Sequence, residues 1–299
     1  MLPVRASLFP CALTLLLVAG CSRPIAPQAS DAVARGAVSE AAAARLFYPL
    51  DLGNHWRFHR VFTLGAPGSP TPTVRRSRIE HDLVCVETLE GREYVIDRVT
   101  QVDSTLAGAV TFHQWIRDRQ DPTGLYEADV DIGTTPACAG GGASSGADEM
   151  EALEDWRASS PLAIADPVAA QHAIAALAGR LRLARRALAG GTSGVENGEL
   201  TRLRYPLRVG DSWTIREEPR FTSSVEAFET LRLPMGNIQA YRVRVNAAGF
   251  GPEDRVLSWY SRSGLVGILV HVEIPTDLGP LIAEDVIDLE ALSIDRGRF

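Results

Sequence analysis

One phrase of nine residues occurs twice in this chain, and it constrains the fold more than any other feature. The first copy is Tyr48-Pro49-Leu50-Asp51-Leu52-Gly53-Asn54-His55-Trp56, and the second is Tyr205-Pro206-Leu207-Arg208-Val209-Gly210-Asp211-Ser212-Trp213. Tyr, Pro, Leu, Gly and Trp recur in register, with an aliphatic residue before each Gly and a turn former after it. A phrase repeated at this distance predicts a duplicated module. In each copy Pro fixes one φ and Gly with Asn or Asp supplies a turn, so each reads as an entry into a β-strand.

Residues 1–20 read as a leader and not as part of the fold. Arg5 is a short positive region, and the apolar run from Leu8 to Val18 is too short to span a bilayer as a stable helix. It ends in Val18-Ala19-Gly20-Cys21, with Ser22 next. This closely resembles the lipobox of bacterial lipoproteins. The resemblance implies cleavage before Cys21, diacylglycerol on its thiol and an acyl group on the new amine. Several acyl chains anchor far more durably than one. Inner-membrane lipoproteins carry Asp after the cysteine. Ser22 therefore implies the outer membrane, with the chain facing the periplasm.

Of the four cysteines, Cys11 leaves with the leader and Cys21 takes lipid. Cys85 and Cys138 remain, an even pair in an oxidising compartment, and a disulfide between them is expected. All 30 basic residues are arginine. The net charge of −7 becomes −8 once Arg5 is gone, which argues against nucleic acid as a partner.

The mature chain is long enough for two modules with real cores. Residues 21–45 are rich in Pro, Ala and Ser and read as a flexible tether. Residues 46–132 read as a first β module. Strands are expected from His55 to Thr63, Thr73 to Thr88, Glu93 to Val102, Val110 to Arg119 and Leu125 to Ile132. Tight turns fall at Leu89–Arg92 and Asp121–Gly124. Residues 133–198 read as a Gly-rich loop and a helical insertion. Asp166 caps the helix, Pro167 opens it and Gly190-Gly191 stops it. Val168, His172, Ala175, Leu177, Leu181, Ala184 and Leu188 give it one broad apolar side. Arg180, Arg182, Arg185 and Arg186 crowd its last turns, favourable to the helix dipole. A solvated face is the plain reading of that run, and contact with anionic headgroups the alternative.

Residues 199–299 read as a second β module, opening at Tyr205. Its strands are expected from Ser212 to Glu218, Phe221 to Leu233, Ala240 to Ala248, Arg255 to Ser261, Leu265 to Ile274 and Val286 to Ile294. The fold class is thus mainly β: two related antiparallel meanders, curved sheets, with a helical insertion between them.

The repeat extends beyond its opening. Trp115-Ile116-Arg117 before Gly124-Leu125 matches Trp259-Tyr260-Ser261 before Gly264-Leu265. That pairs Trp56 with Trp213 and Trp115 with Trp259. Core packing is the plain reading of these tryptophans. The sharper reading has Trp115, Tyr241, Trp259 and Tyr260 facing a concave ligand surface. Taken with the Leu233 to Val243 segment and the Trp259-Tyr260 hairpin, the two phrases resemble a broad set of exported β-rich bacterial proteins, many of them lipoproteins. That set carries no established activity. The curved sheets the resemblance implies are similar to those of outer-membrane lipoprotein carriers, by analogy alone.

No catalytic constellation emerges. Gly142-Ala143-Ser144-Ser145-Gly146 matches a nucleophile-elbow string but lies in a Gly-rich loop, without the strand and helix such an elbow needs. His55 and His59, four apart on a strand, stand about 13 Å from each other and make a poor zinc pair. Glu127, Asp129 and Asp131 alternate on one strand, and Arg117 and Arg119 on the one before it, so cross-strand ion pairing is expected. Asp97 and Asp103 have no spacing that marks them. No cofactor and no metal is implied.

The expectation is a non-catalytic binding or scaffolding protein. Its partners would be the membrane through Cys21 and either a hydrophobic ligand or another envelope protein. The alternative is a structural or protein-interaction component of the outer membrane. An enzyme with a site assembled from His113, Arg117 and Asp129 is the third reading.

Overall fold

The computed structural model describes residues 47–66, 72–105, 108–128, 135–138, 167–189, 198–276 and 279–294. The leader, the tether, the Gly-rich loop with Ser144, Asp129, Asp131 and Trp156 lie outside the described residues.

The first phrase turns at Gly53, whose φ of +86° is open to glycine without strain. It delivers the chain into β1 (His55–Gly65), a strand alternating between buried Trp56, Phe58, Arg60, Phe62, Leu64 and wetter neighbours. Four more strands follow: β2 (Thr73–Leu89), β3 (Arg92–Thr105), β4 (Gly108–Asp121) and β5 (Gly124–Ala128). The helix α1 (Pro167–Ala189) comes next, and β6 (Glu199–Arg204) ends the first run of six strands. The second phrase then feeds β7 (Ser212–Arg216). β8 (Phe221–Leu233), β9 (Gly236–Ala247), β10 (Arg255–Ser261), β11 (Gly264–Ile274) and β12 (Leu281–Ser293) complete the chain.

All twelve strands form one antiparallel sheet in the order β6-β5-β4-β3-β2-β1-β12-β11-β10-β9-β8-β7. The two meanders are joined along β1 and β12, whose ladder runs from His55 opposite Ser293 to Gly65 opposite Ile282. The sheet curls until its end strands, β6 and β7, lie beside one another, so it is nearly closed as a barrel. Because every ladder is antiparallel, the odd strands all start at one end. Both phrases and the turns β2–β3, β4–β5, β8–β9 and β10–β11 gather there. The even strands all start at the other end, and α1, between β5 and β6, packs on the inner face.

Most strands fall where the residue pattern puts them. β6 is not anticipated, because Glu199-Leu200-Thr201-Arg202-Leu203-Arg204 is short and broken by a bulge. α1 has the expected bounds, and Leu177, Leu181, Ala184 and in part Leu188 are buried as expected, but three of the expected positions are not. Ala170, Ala173, Leu177, Ala178, Leu181, Ala184 and Ala187 are buried, whereas Val168, His172 and Ala175 are exposed. The small side chains win because they let the helix lie close against the inner face of the sheet. Arg180 bonds to the Glu273 carbonyl at 2.9 Å and lies 3.3 Å from Asp254, and Arg185 lies 3.7 Å from Asp285. Two of the four crowded arginines therefore clamp the helix to the sheet.

Candidate functional site

The inner face is where the sheet, the helix and both phrases meet. Its apolar part, built from residues such as Val225, Val243, Val270 and Val272, forms one core with the buried side of α1. Between α1 and the strands lies a cavity of about 10 Å³, the size of a single water. Arg202, Ser223, Ser258 and Tyr260 give it a polar rim, and Ala187 and Leu188 close it from the helix.

A buried ionic cluster lies beside this cavity. β6 carries a bulge in which Leu203 opposes Leu125 and Thr201 opposes Tyr126, leaving Arg202 as the extra residue. Such a bulge re-aims a side chain. Arg202 reaches Glu127 on β5, which is 2% exposed, and the two are hydrogen-bonded. On the neighbouring strands His81 Nδ1 stands 2.6 Å from Asp97 Oδ2, and Asp97 is fully buried. Asp118 faces the same group of charges.

Burial pushes the Asp118 carboxyl up, to about 7; Arg202 pulls it back and Asp97 adds repulsion. Burial disfavours the His81 imidazolium, but Asp97, as charge and as hydrogen-bond partner, outweighs it and raises the pKa. Asp97 Oδ1 is buried with no hydrogen-bond partner among the described residues, a costly state for a polar atom. The arrangement can hold and shift a proton. No group of three His, Cys, Asp or Glu among the described residues is placed to hold a metal ion.

Both phrase tyrosines reach this cluster. Tyr48 is buried against Trp56, with ring centroids 5.8 Å apart, and the charges of Asp97 and Asp118 act on its hydroxyl. Tyr205 accepts a 2.8 Å hydrogen bond from Gln120 and lies within the field of Tyr260 and Asp118. Pattern reading of the phrase finds no reactive group in it. The tyrosines' neighbours come from β3, β4 and β6, which no local pattern specifies.

The four aromatic residues singled out for a ligand surface do not share one. Tyr241 and Tyr260, directly opposed on β9 and β10, point inward. Trp259, the neighbour of Tyr260, points outward and donates its indole N–H to Glu229 at 2.7 Å. Trp115 alternates with Asp118 and lies on the outer face of β4, buried there. The match between Trp115 and Trp259 also fails in register. Both hairpins close at a glycine, and Trp115 stands nine residues before Gly124 while Trp259 stands five before Gly264.

The expected cross-strand pairing of Arg117 and Arg119 with Glu127 is not made. Asp118 opposes Glu127, so the two arginines face the other way. Arg117 bonds to Glu87 at 2.8 Å, and Arg119 forks onto Glu199 at 2.7 and 2.8 Å. Glu87 also accepts from the Ala137 N–H, next to the disulfide that joins Cys85 to Cys138 with a Cα separation of 6.2 Å. His113 lies near Thr100 Oγ1 at 3.1 Å, and His55 lies 2.7 Å from Asp82.

No family model and no curated protein matches the chain. Among solved structures, it is similar to a candidate lipoprotein of Parabacteroides distasonis. That match has 12% identity and a TM-score of 0.31 over 83% of this chain and 98% of that one. It is also similar to a candidate exported protein of Bacteroides fragilis with a YmcC-like fold, at 14% identity and a TM-score of 0.33, over 83% and 99% of the two chains. Likeness at this level carries no argument about function, and the description of the fold stands on the strand pairing alone.

Proposed function

We propose that this chain is exported, cut before Cys21, acylated there and held in the outer membrane facing the periplasm, and that its work is binding and not turnover. The observation that carries the reading is the bond between Cys85 and Cys138. These are the two cysteines left once the leader and the lipobox are set aside. Such a bond persists where the compartment is oxidising. The lipobox supplies the anchor, and residues 21–45 the tether.

The ligand fitted to this reading is hydrophobic. It would take the place of α1 on the valine-rich inner face. Of the seven buried residues among those described in α1, five are alanines and two leucines, and Ile174, Leu183 and Leu188 pack half-buried beside them. A ligand with longer alkyl groups competes with the helix on favourable terms. The second reading, a structural or protein-interaction component, is favoured by the seam between β6 and β7, which among the described residues has no ladder.

Native mass spectrometry of the protein extracted gently from a Gram-negative envelope tests both. The expected result is acyl mass on Cys21, lost in Cys21→Ser, a disulfide mass, and a retained hydrophobe. An unacylated wild-type chain overturns the anchor. An acylated chain that is always bare, but pulls down a stable protein partner, establishes the second reading over the first.

A further inference from the structure

We propose that the end of the sheet carrying the two phrases rests on the bilayer that holds the anchor; this deepens the anchoring reading and depends on it. Seven large apolar side chains stand exposed among the described residues. Five of them, Leu52, Val86, Val209, Phe228 and Met235, lie at or near this one end, at 39% to 57% exposure. Four of the five are paired by the two halves of the sheet. Leu52 and Val209 hold the same place before the turn glycine of each phrase. Val86 and Phe228 each stand three residues past the strand residue that the phrase bonds to, Leu83 in one half and Val225 in the other. β2 and β8 both bulge directly after that residue, which turns Val86 and Phe228 toward the inner side at the rim.

An exposed apolar side chain standing alone needs no explanation, but a group gathered at one end does. The occupant follows from where the chain enters. The described structure begins at Phe47, which packs on Tyr241 at 5.6 Å and on Tyr205 at 6.1 Å, with Phe228 against Tyr241 at 4.6 Å. The tether therefore arrives at this same rim. Between Cys21 and Phe47 lie 25 residues. A flexible chain of that length has an r.m.s. span of roughly 25–30 Å, which keeps the rim close to the membrane at high effective concentration. Tyr241, half-buried at this rim, has an apolar ring and a polar hydroxyl and suits the headgroup layer. Exposed charges there are of both signs, Arg208, Arg232 and Arg262 with Asp51, Glu90 and Asp211, so no anionic surface is required.

The test uses the full chain with an environment-sensitive dye on one introduced cysteine, Val209→Cys, Phe228→Cys or Val74→Cys. Val74 is exposed at the opposite end. The acylated protein is placed in vesicles of phosphatidylethanolamine and phosphatidylglycerol carrying spin-labelled lipid. Dyes at 209 and 228 are expected to be quenched several-fold more than the dye at 74. Equal quenching at 74 and 228 in an acylated protein overturns the docking face and leaves the anchor intact. The Cys21→Ser chain with the same vesicles separates the two ideas. The dye at 228 is expected to respond at high lipid concentration, and Leu52→Ser with Val209→Ser to weaken that response by about tenfold. A wild-type chain without acyl groups whose Cys21→Ser form still behaves this way sinks the anchor alone. A dye at 228 shielded in native envelopes but not by lipid vesicles identifies a protein occupant and overturns the proposal.

Discussion

The two copies of the phrase turn in the same way at their glycines, although the Tyr–Pro peptide is cis in the second alone, and they meet different surroundings. In the first, Gly53 N–H donates to the Leu83 carbonyl and Leu83 N–H to the Asn54 carbonyl; in the second, Gly210 donates to Val225 and Val225 to Asp211. The turn, the left-handed glycine and the bond to the returning strand are thus reproduced. The neighbours are not. β1 is laddered on both sides, to β12 from His55 to Gly65 and to β2 from His55 to Leu64. β7 has five residues, a ladder to β8 alone, and β6 across an unladdered seam. Trp56 donates its indole N–H to Ser263, and Trp213 donates across the seam to Thr201. Asn54 is fully buried and bonds to Pro49, whereas Asp211 is exposed. A phrase of this length fixes its own turn; the rest of the chain decides what the turn is packed against.

The strongest test of that contrast is to remove each tryptophan. Trp56→Ala is expected to cost about 4–5 kcal/mol in guanidinium unfolding, and Trp213→Ala about 3. For Trp213→Ala, amide exchange in β6 and β7 should rise ahead of global unfolding. Equal costs with uniform exchange would show that the seam is no weaker than the interior ladder.

A second test uses the cluster that both phrase tyrosines reach. The folded-state pKa of Asp118 lies above its ordinary 3.8, near 7, so the folded protein holds a proton that the unfolded chain gives up. Its contribution to stability is full below pH about 4 and is lost as the pH rises to about 7. His81, with its pKa raised above 6.5, acts with the same sign: its contribution is present below pH 6.5 and is lost as the pH climbs through the raised value. Asp82, Glu87 and Glu199, held below their usual range, act in the opposite sense in acid. Asp118→Asn is expected to remove a loss on the order of 2–4 kcal/mol between pH 4 and pH 8, read as a flatter stability profile. A profile parallel to wild type would mean that Asp118 is not the group responsible.

Smaller effects sharpen the same comparison. Asn54→Ala is expected to cost about 2 kcal/mol, because it removes a buried donor and leaves the Pro49 carbonyl short of a partner. Asp211→Ala, at the matching exposed position, should stay within about 0.5 kcal/mol. Leu52→Ser and Val209→Ser should each leave stability unchanged within about the same margin. A large loss at either would tie these side chains to the fold and not to the surface on which the phrases end.

The legible part of the fold is the part written at short range. The turns at Leu89–Arg92, Asp121–Gly124 and Arg262–Gly264, and the bounds of α1, follow from residues adjacent in sequence. The candidate site was legible only in pieces. Glu127 attracts notice as one of three alternating acids, and Asp97 shows no spacing that would mark it. Arg202 is invisible because its inward turn comes from a bulge in a strand that itself carries a weak pattern. The buried side of α1 is misjudged at Val168, His172 and Ala175 for a related reason. Apolarity favours Val168 over Ala170, but the helix lies against a sheet, and closeness of approach selects the alanines.

The sequence by itself determined two β-strand entries, the tight turns that follow them and one helix, and its N-terminus resembles that of a lipoprotein. Each depends on a few neighbouring residues whose backbone preferences act within a turn or two. Only the tertiary structure decided that the two meanders share one sheet through β1 and β12. It also placed α1 on the inner face, and brought His81, Asp97, Asp118, Glu127 and Arg202 together with Tyr48 and Tyr205. Those outcomes depend on ladders between residues more than 200 positions apart, such as His55 and Ser293, and on how side-chain volume fills a curved face.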